Sequence, residues 1–174
     1  MAQTNEPLLS VKGLKQYFPV SKKFTVRAVD NISFDIYPGE TYGLVGESGS
    51  GKSTTGRSII RLYDPTEGTI LFNGEDISKK LTAKQEKMLR SDMQMVFQDP
   101  MASLNPHKKI LDTIAMGLDA HNSHMDQNER VERVSKMMEM VGLNPAYMNR
   151  YPNQFSGGQR QRIGLGRALI MNPK

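Results

Sequence analysis

The sequence predicts an α/β fold, with a β-sheet near the N-terminus and a helical block in the second half of the chain. Three observations support this prediction. The first forty residues contain two strand-like runs, 8–14 and 26–36, followed by a Pro38-Gly39 turn. A short apolar run, 41–45, then leads into a glycine-rich segment and a helix-like stretch over 52–63. In the second half, helix caps replace the strand signals, so helices should follow the sheet.

Turn and cap signals place the next elements. The Asn73-Gly74 dipeptide after the run 69–72 predicts a β-hairpin, because both residues tolerate the left-handed backbone of a tight turn. Thr82 and Gln85 have the spacing of a capping box, which predicts a short helix after them. The apolar run 93–97, like 41–45, is typical of a strand buried on both faces.

The middle of the chain carries a clear helix pattern. Asp126 and Glu129 can form an N-terminal cap. Apolar residues then recur at helical spacing before Gly142, at Val131, Val134, Met138 and Val141. Met137, Met138 and Met140 could line a groove for a partner, but packing in an ordinary core is the favoured interpretation.

Composition excludes several classes of protein. The chain has 174 residues, a formal charge of +5, 37% hydrophobic and 24% charged residues, and no cysteine. This balance is globular, so it argues against disorder and against a membrane-embedded chain, and no run approaches the roughly 20 apolar residues of a spanning helix. The absence of cysteine excludes disulfides and thiol catalysis in this stretch. We expect no secretion signal at the N-terminus.

Basic residues and histidines offer weaker signals. A basic run could contact nucleic acid or lipid headgroups, although a solvated helix face is favoured. It consists of Lys79, Lys80, Lys84, Lys87 and Arg90. The three histidines, His107, His121 and His124, have no partners at metal-ligand spacing, so we expect them on the surface.

Residues 46–53 form the strongest motif, G-x-x-x-x-G-K-S, which is the phosphate-binding loop, or P-loop. Glycines allow successive backbone N–H groups to face an anion without interference from a Cβ atom. The following helix adds the positive end of its dipole. Lys52 places a cation at the β- and γ-phosphates, and the Ser53 hydroxyl can bind Mg²⁺. The motif predicts nucleotide binding.

Residues 156–159, Ser-Gly-Gly-Gln, form the second motif, at the start of a predicted helix. Ser156 and Gln159 have the spacing of a capping box. A capped helix does not need Gly157 and Gly158, because glycine costs about 1 kcal/mol in a helix. A role in the close approach of another group to the backbone would explain them.

Gln98 follows the predicted strand 93–97, and Pro100 closes that segment. Strand ends beside a P-loop strand face the nucleotide in a doubly wound sheet. Gln98 is therefore placed to contact Mg²⁺ or the attacking water. A glutamine at a strand end is uninformative alone, and its position between the other two motifs gives it weight.

In this order and spacing, the three motifs resemble the ATP-binding subunit of an ABC transporter over the whole chain. Residues 46–53 match the Walker A loop, Gln98 the Q-loop and 156–159 the signature motif, although Phe155 replaces the frequent leucine. The segment 97–106 is similar to that of oligopeptide and dipeptide importers. The Tyr17-Phe18-Pro19 and Arg150-Tyr151-Pro152 segments are similar to those of the same importers. Ala102 and the Tyr17-Phe18-Pro19 segment favour the F-type subunit over its D-type partner.

The resemblance implies a P-loop NTPase core with an N-terminal antiparallel β subdomain and an inserted α-helical subdomain. It places the core and β subdomain at 1–98, the helical subdomain at 99–155 and the signature helix at 156–174. It implies ATP and Mg²⁺ as cofactors, with Ser53 and Gln98 at the metal and Lys52 and Gln98 in catalysis. An aromatic side chain should stack on adenine, with Tyr17 favoured over Phe18 and Phe24. The nucleotide-binding residues it implies are Tyr17, Gly46, Glu47, Ser48, Gly49, Ser50, Gly51, Lys52, Ser53 and Thr54.

The resemblance also implies partners. Two ATPase subunits, identical or related, would enclose two ATP molecules, and each P-loop would face Ser156, Gly157, Gly158 and Gln159 of the other subunit. Two membrane-spanning permease subunits and an external peptide-binding protein would complete the importer, at the cytoplasmic face of the membrane. The alternative is a nucleic-acid- or ribosome-associated ABC ATPase. The short interval between Gln98 and Ser156 argues against the coiled-coil repair type, and we expect no nucleic acid partner.

Family members continue past the equivalent of Asn172-Pro173-Lys174 with a strand that ends in Asp-Glu, a D-loop and a switch histidine. We therefore expect the C-terminal part of the core to be absent from this sequence. Because the Asp-Glu pair would hold the Mg²⁺ shell and polarise the attacking water, we also expect little or no ATP hydrolysis by these 174 residues alone.

Overall fold

The computed structural model describes residues 6–98, 103–121 and 124–174. The chain divides into two compact units, which meet in sequence between Glu86 and Lys87. The expected division into 1–98, 99–155 and 156–174 stays a prediction, as does the role of each segment.

The first unit is built on an antiparallel sheet with strand order β2-β1-β3-β4. Its strands are β1 (Leu9–Ser21), β2 (Phe24–Ile36), β3 (Glu67–Phe72) and β4 (Glu75–Asp76). β1 and β2 form a long hairpin that closes at the Ser21–Phe24 pair. The expected N-terminal antiparallel β subdomain is therefore present.

Local turn chemistry sets two of the connections. Asn73 and Gly74, between β3 and β4, have φ values of 51° and 80°, which is the backbone that a two-residue hairpin turn requires. After β2, the Glu40 N–H donates to the Tyr37 carbonyl at 3.0 Å, and Gly39 has a φ of 76°. Both turns lie where the sequence predicts them.

The core of the first unit lies on one face of the sheet, where buried apolar residues alternate along β1 and β3. These residues include Leu9, Val11, Leu14, Ile70 and Phe72. Helix α1 (Lys52–Ile59) is linked to β1 by a buried hydrogen bond, in which the Ser58 hydroxyl donates to Gln16 Oε1 at 3.1 Å. This bond fixes the P-loop helix to the sheet.

Two predicted strands are wrong. Residues 41–45 and 93–97 form no regular strand, and Val45 and Val96 are 94% and 52% exposed. A parallel strand needs neighbouring strands to accept and donate its backbone hydrogen bonds. Within the described residues, the sheet is the antiparallel one, and neither segment pairs with it. Hydrophobicity alone therefore does not produce a strand at either place.

The helices that follow are short to medium in length. They are α2 (Ala83–Asp92), α3 (Ile110–Ile114), α4 (Met116–His121), α5 (Gln127–Met140) and α6 (Gly157–Leu169), with 3₁₀ turns at Pro145–Tyr147 and Pro152–Gln154. The predicted capping box before α2 forms, because Gln85 N–H donates to the Thr82 hydroxyl at 3.2 Å and Thr82 N–H donates to Gln85 Oε1 at 3.1 Å. Asp126 caps α5 by accepting from the Asn128 N–H at 2.9 Å.

α3, α5 and α6 of the second unit share one hydrophobic core. Its buried residues include Ile110, Ile114, Val134, Met138, Phe155 and Ile163. Met137 and Met138 lie in this core, which confirms that they pack inside, whereas Met140 is 72% exposed. A mainly helical second half was predicted from the cap and spacing signals.

The lysines of the basic run, Lys79, Lys80, Lys84 and Lys87, are exposed, which fits a solvated face.

Among the described residues, no helix combines the length and the apolar character that crossing a membrane would require.

Candidate nucleotide-binding site

The P-loop lies between the segment 41–45 and helix α1. Its turn is closed by Ser50, whose N–H donates to the Glu47 carbonyl at 3.2 Å. Gly49 and Gly51 have φ values of 83° and 90°, in the left-handed region that favours glycine. The two glycines therefore allow the loop to curl ahead of the helix.

Gly51 is also required for packing. A Cβ atom at Gly51 would lie 2.2 Å from the Ala28 carbonyl oxygen of β2 and 3.6 Å from Val29 Cγ2. Real side chains do not tolerate the first distance, so only glycine fits where the loop meets the strand. This contact fixes the end of the P-loop against the β1–β2 hairpin.

The Lys52 side chain folds back over its own loop. Its ammonium donates to the Gly46 carbonyl at 2.7 Å, to the Glu47 carbonyl and to the Ser50 hydroxyl at 3.2 Å. These acceptors hold a positive charge at the centre of the loop. An anionic phosphate bound there would meet this ammonium directly, which is the chemistry that the motif predicts.

The N-terminus of α1 adds backbone donors. Gly51 is its N-cap and supplies no side-chain hydrogen bond, and the first turn contains no acidic residue. The first N–H groups of a helix lack intrahelical acceptors and carry partial positive charge. The lysine and the helix end therefore present the same sign of charge to a ligand.

The residues present fit a nucleoside triphosphate with Mg²⁺. Ser53 is exposed in the first turn of α1, and its hydroxyl is the type of oxygen donor that Mg²⁺ accepts. The part of the chain that the structure describes contains no group of three His, Cys, Asp or Glu residues that could hold a metal by itself. Mg²⁺ usually retains several waters and binds substrate phosphates, so a single protein hydroxyl such as that of Ser53 is a suitable donor for it.

Tyr17 lies at the same end of the first unit as the P-loop. Its neighbour across the strands is Arg27, next to the Ala28 that contacts Gly51. The Tyr17 hydroxyl donates to Asp30 Oδ1 at 2.5 Å, and this hydrogen bond raises the pKa of Tyr17 above its ordinary value. The Asp30 bond therefore fixes the edge of the Tyr17 ring.

The other predicted site residues lie in the second unit. Gln98 is exposed after the segment 93–97 and lines a cavity of about 530 Å³ together with Gly158, Arg162 and Arg167. Arg167 donates to the Ser103 carbonyl at 2.5 Å, and burial lowers the pKa of its guanidinium. The structure thus brings Gln98 and the start of α6 to one cavity.

The capping box of α6 forms as predicted. Ser156 N–H donates to Gln159 Oε1 at 2.9 Å, and Gln159 N–H donates to the Ser156 hydroxyl at 3.3 Å. Among the described residues, no atom lies within 4 Å of the position that a Cβ would take at Gly157 or Gly158. The packing of this part of the chain therefore does not explain the two glycines, which are exposed at the helix N-terminus.

Sequence reasoning missed Arg27 and Ala28, which contact Tyr17 and Gly51. Their proximity depends on how β1 pairs with β2, and no local pattern reveals it. It also missed Arg167 at the Gln98 cavity, for which the only sequence signal is its place on the same helix as the second motif.

A P-loop before a helix, together with an antiparallel sheet and a second glycine motif that opens a helix, defines a class of nucleotide-binding cassette. Residues 29–174 match the family described as ABC transporter. This match covers most of the chain, so the chain belongs to the ABC transporter family, as the resemblance predicted.

Individual relatives are more specific. The chain is 57% identical over 169 residues to the oligopeptide transport ATP-binding protein OppF of Bacillus subtilis, covering 97% of this chain and 55% of that protein. It is 49% identical to the dipeptide transport ATP-binding protein DppF of Lactococcus lactis subsp. cremoris, covering 96% of this chain and 54% of that protein. The chain thus spans about half the length of the curated relatives it matches.

A solved structure confirms the fold. The chain is similar to the ATP-binding cassette MJ0796, in its dimeric, post-hydrolysis state bound to ADP and Pi, with a TM-score of 0.84 and 30% identity. The match covers 95% of this chain and 70% of that one. The predicted P-loop NTPase fold with its antiparallel β subdomain and helical region is therefore confirmed.

Proposed function

We propose that this chain forms the nucleotide-binding part of the ATPase subunit that drives a peptide importer. The observation that carries the proposal is the P-loop, in which Gly51 fits against Ala28 and the Lys52 ammonium is held over the loop carbonyls. The names of the relatives support peptides as the transported class, since they are oligopeptide and dipeptide transport proteins.

In this proposal, the P-loop binds the phosphates of ATP. Backbone N–H groups of residues 46–54 and the Lys52 ammonium orient the β- and γ-phosphates, and the Tyr17 ring supports the adenine. Ser53 and Gln98 are the residues that would hold Mg²⁺, which supplies charge neutralisation at the phosphates when bound. Gln98 would also position the attacking water. Lys52 and Gln98 are thus the proposed catalytic residues.

The exposed N-terminus of α6 is proposed to act on a second subunit. Ser156 and Gln159 satisfy each other in the capping box, and the two glycines leave the first backbone N–H groups accessible to an incoming phosphate. Ser156, Gly157, Gly158 and Gln159 would therefore contact the γ-phosphate held by the P-loop of a partner ATPase, identical or related. The dimeric state of the similar cassette MJ0796 supports this arrangement.

The remaining partners follow from the same proposal. Two permease subunits would bind the helical region at 99–155, and an external peptide-binding protein would deliver the peptide. The ATPase would then work at the cytoplasmic face of the membrane without entering it. The nucleic-acid alternative gains no support from the relatives, whose names describe transport.

Titration of ATP and Mg²⁺ against wild-type protein and Lys52→Ala tests the P-loop. We expect the substitution to weaken ATP binding roughly 10- to 150-fold, because a charge-assisted hydrogen bond contributes about 1.5–3 kcal/mol. Lys80→Ala, which removes the same charge from an exposed site, is the matched control. Equal affinity in wild type and Lys52→Ala would exclude the P-loop as the site.

Transport requires the full-length protein in its assembly with permease subunits. ATP-dependent uptake of a labelled peptide into proteoliposomes should depend on Lys52 and not on Lys80. Assemblies that hydrolyse ATP without moving peptide, but bind RNA or DNA with a salt-dependent affinity, would favour the nucleic-acid alternative instead.

A further inference from the structure

Tyr17 and Arg27 form a cross-strand pair beside the P-loop. The Arg27 guanidinium carbon lies 5.4 Å from the centroid of the Tyr17 ring. The two differ in how firmly they are held. Tyr17 is fixed by its 2.5 Å hydrogen bond to Asp30, whereas the Arg27 guanidinium forms a longer, 3.9 Å ion pair with Asp30, and its side chain is 69% exposed.

A β-bulge brings this pair to the phosphate site. The pairing of β1 and β2 passes from Gln16–Val29 to Tyr17–Arg27, so Ala28 is an extra residue on β2. The Ala28 carbonyl is the group that lies against Gly51 of the P-loop. Arg27 and Tyr17 therefore stand one residue away from the contact between the hairpin and the loop.

The chemistry of the pair suits a flat aromatic ligand. Phenol rings and guanidinium planes both stack on nucleobases. A base between them needs about 7 Å, twice the usual contact distance of about 3.5 Å. From the observed 5.4 Å, the guanidinium would have to move outward by roughly 1.6 Å. Its exposure and its weak surface ion pair make that movement easy.

We propose that Arg27 is a second base-binding residue, which closes over the purine ring of a nucleotide whose other face rests on Tyr17. This inference rests on the proposed function, because it requires phosphates bound in the P-loop. In this role, Arg27 increases the affinity for ligands that carry a base over ligands that consist of phosphates alone. Lys52, in contrast, binds the phosphates of both kinds of ligand.

Competition binding with ATP and with inorganic tripolyphosphate separates the two roles. In Arg27→Ala we expect ATP to bind about 2- to 30-fold more weakly, in line with a cation–π contribution of about 0.5–2 kcal/mol. Tripolyphosphate should bind as in wild type, because it has no base. Lys23→Ala, which removes one exposed positive charge from the same hairpin, should change neither affinity.

Arg27→Lys distinguishes stacking from charge. It keeps the cation and loses the planar group, so ATP affinity should stay below that of wild type. Restoration of wild-type affinity by lysine would overturn the proposal, as would an equal loss for ATP and tripolyphosphate in Arg27→Ala.

A fluorescence measurement places the base independently. The sequence contains no tryptophan, so Tyr17→Trp introduces a single reporter. ATP should quench this indole and tripolyphosphate should not, and adding Arg27→Ala should shift the ATP titration to higher concentration. Quenching whose midpoint is unchanged by Arg27→Ala would overturn the role of Arg27 alone, while tight ATP binding in Lys52→Ala would overturn the proposed function.

Discussion

Gly51 holds a left-handed backbone, with a φ of 90°, and the Ala28 carbonyl oxygen occupies the place that a Cβ atom on Gly51 would need. Two separate physical constraints therefore meet at one residue of the P-loop. Gly39, in the turn after β2, has a φ of 76° and open space at its Cβ position, so it carries only the first constraint.

Replacement of each glycine by alanine should reveal this difference. We expect Gly39→Ala to lower the free energy of unfolding by about 1–2 kcal/mol, the cost of a left-handed alanine. Gly51→Ala should cost about 1–3 kcal/mol more, because its Cβ overlaps the Ala28 carbonyl. Urea denaturation of both variants measures the two losses. Equal losses would contradict the prediction, because they would mean that the β1–β2 hairpin can shift away from the new Cβ at position 51 without a loss of stability.

Helix α6 shows a conflict between stability and its proposed role. Ser156 caps the helix, yet the next two residues are glycines, and no described atom lies within 4 Å of their Cβ positions. Glycine in a helix is less favourable than alanine by up to about 1 kcal/mol. The element is thus less stable than its surroundings allow, which fits a surface kept free for a phosphate and a partner subunit.

Gly158→Ala should therefore act in opposite directions on stability and function. We expect the free energy of unfolding to rise by up to about 1 kcal/mol. ATP turnover by the full-length protein with its partner should fall at least about tenfold, equivalent to about 1.4 kcal/mol of lost transition-state stabilisation. Gly164→Ala, also with open space at Cβ in the same helix, gives the stability reference. A stabilised Gly158→Ala protein with unchanged turnover would contradict the role of α6.

At the scale of the whole molecule, the predicted site residues are distributed over the two units. The first carries the P-loop and Tyr17, and the second carries Gln98 and the start of α6. The second unit also contains a charged link between its helices, because Arg130 of α5 donates to Asp112 Oδ1 of α3 at 3.0 Å and to Asp119 Oδ1 of α4 at 2.7 Å. The Arg130 side chain is 12% exposed, whereas the Asp112 and Asp119 side chains are 44% and 45% exposed, so the carboxylates of this link remain open to solvent.

Acid should weaken this link. The hydrogen bond from Arg130 holds the pKa of Asp119 below its ordinary value of 3.8. Because the folded pKa is the lower one, the stabilisation is complete well above pH 3.8 and is lost as the pH falls toward the folded value. Unfolding measured from pH 7 to pH 2 should show wild type more stable than Asp119→Asn at neutral pH, with the gap narrowing in acid. Glu139→Gln, an exposed carboxylate of α5, is the control, and a gap that stays constant with pH would contradict this explanation.

Features set by contiguous residues could be predicted from the sequence. The Asn73-Gly74 turn and the caps at Thr82, Asp126 and Ser156 depend on hydrogen bonds or backbone angles within a few residues. The family resemblance rested on motifs of the same local kind, and the comparisons confirmed it. The roles of the individual site residues remain predictions.

Features that depend on pairing between distant segments could not be predicted in this way. The runs 41–45 and 93–97 have strand composition, but a strand forms only when another strand completes its hydrogen bonds. The approach of Arg27 and Ala28 to Tyr17 and Gly51 follows from a one-residue shift in the pairing of β1 with β2. The sequence was sufficient for the phosphate loop, whose chemistry lies in eight consecutive residues. The contacts around that loop were decided only by the tertiary structure, because the register between β1 and β2 depends on side-chain packing across the whole hairpin.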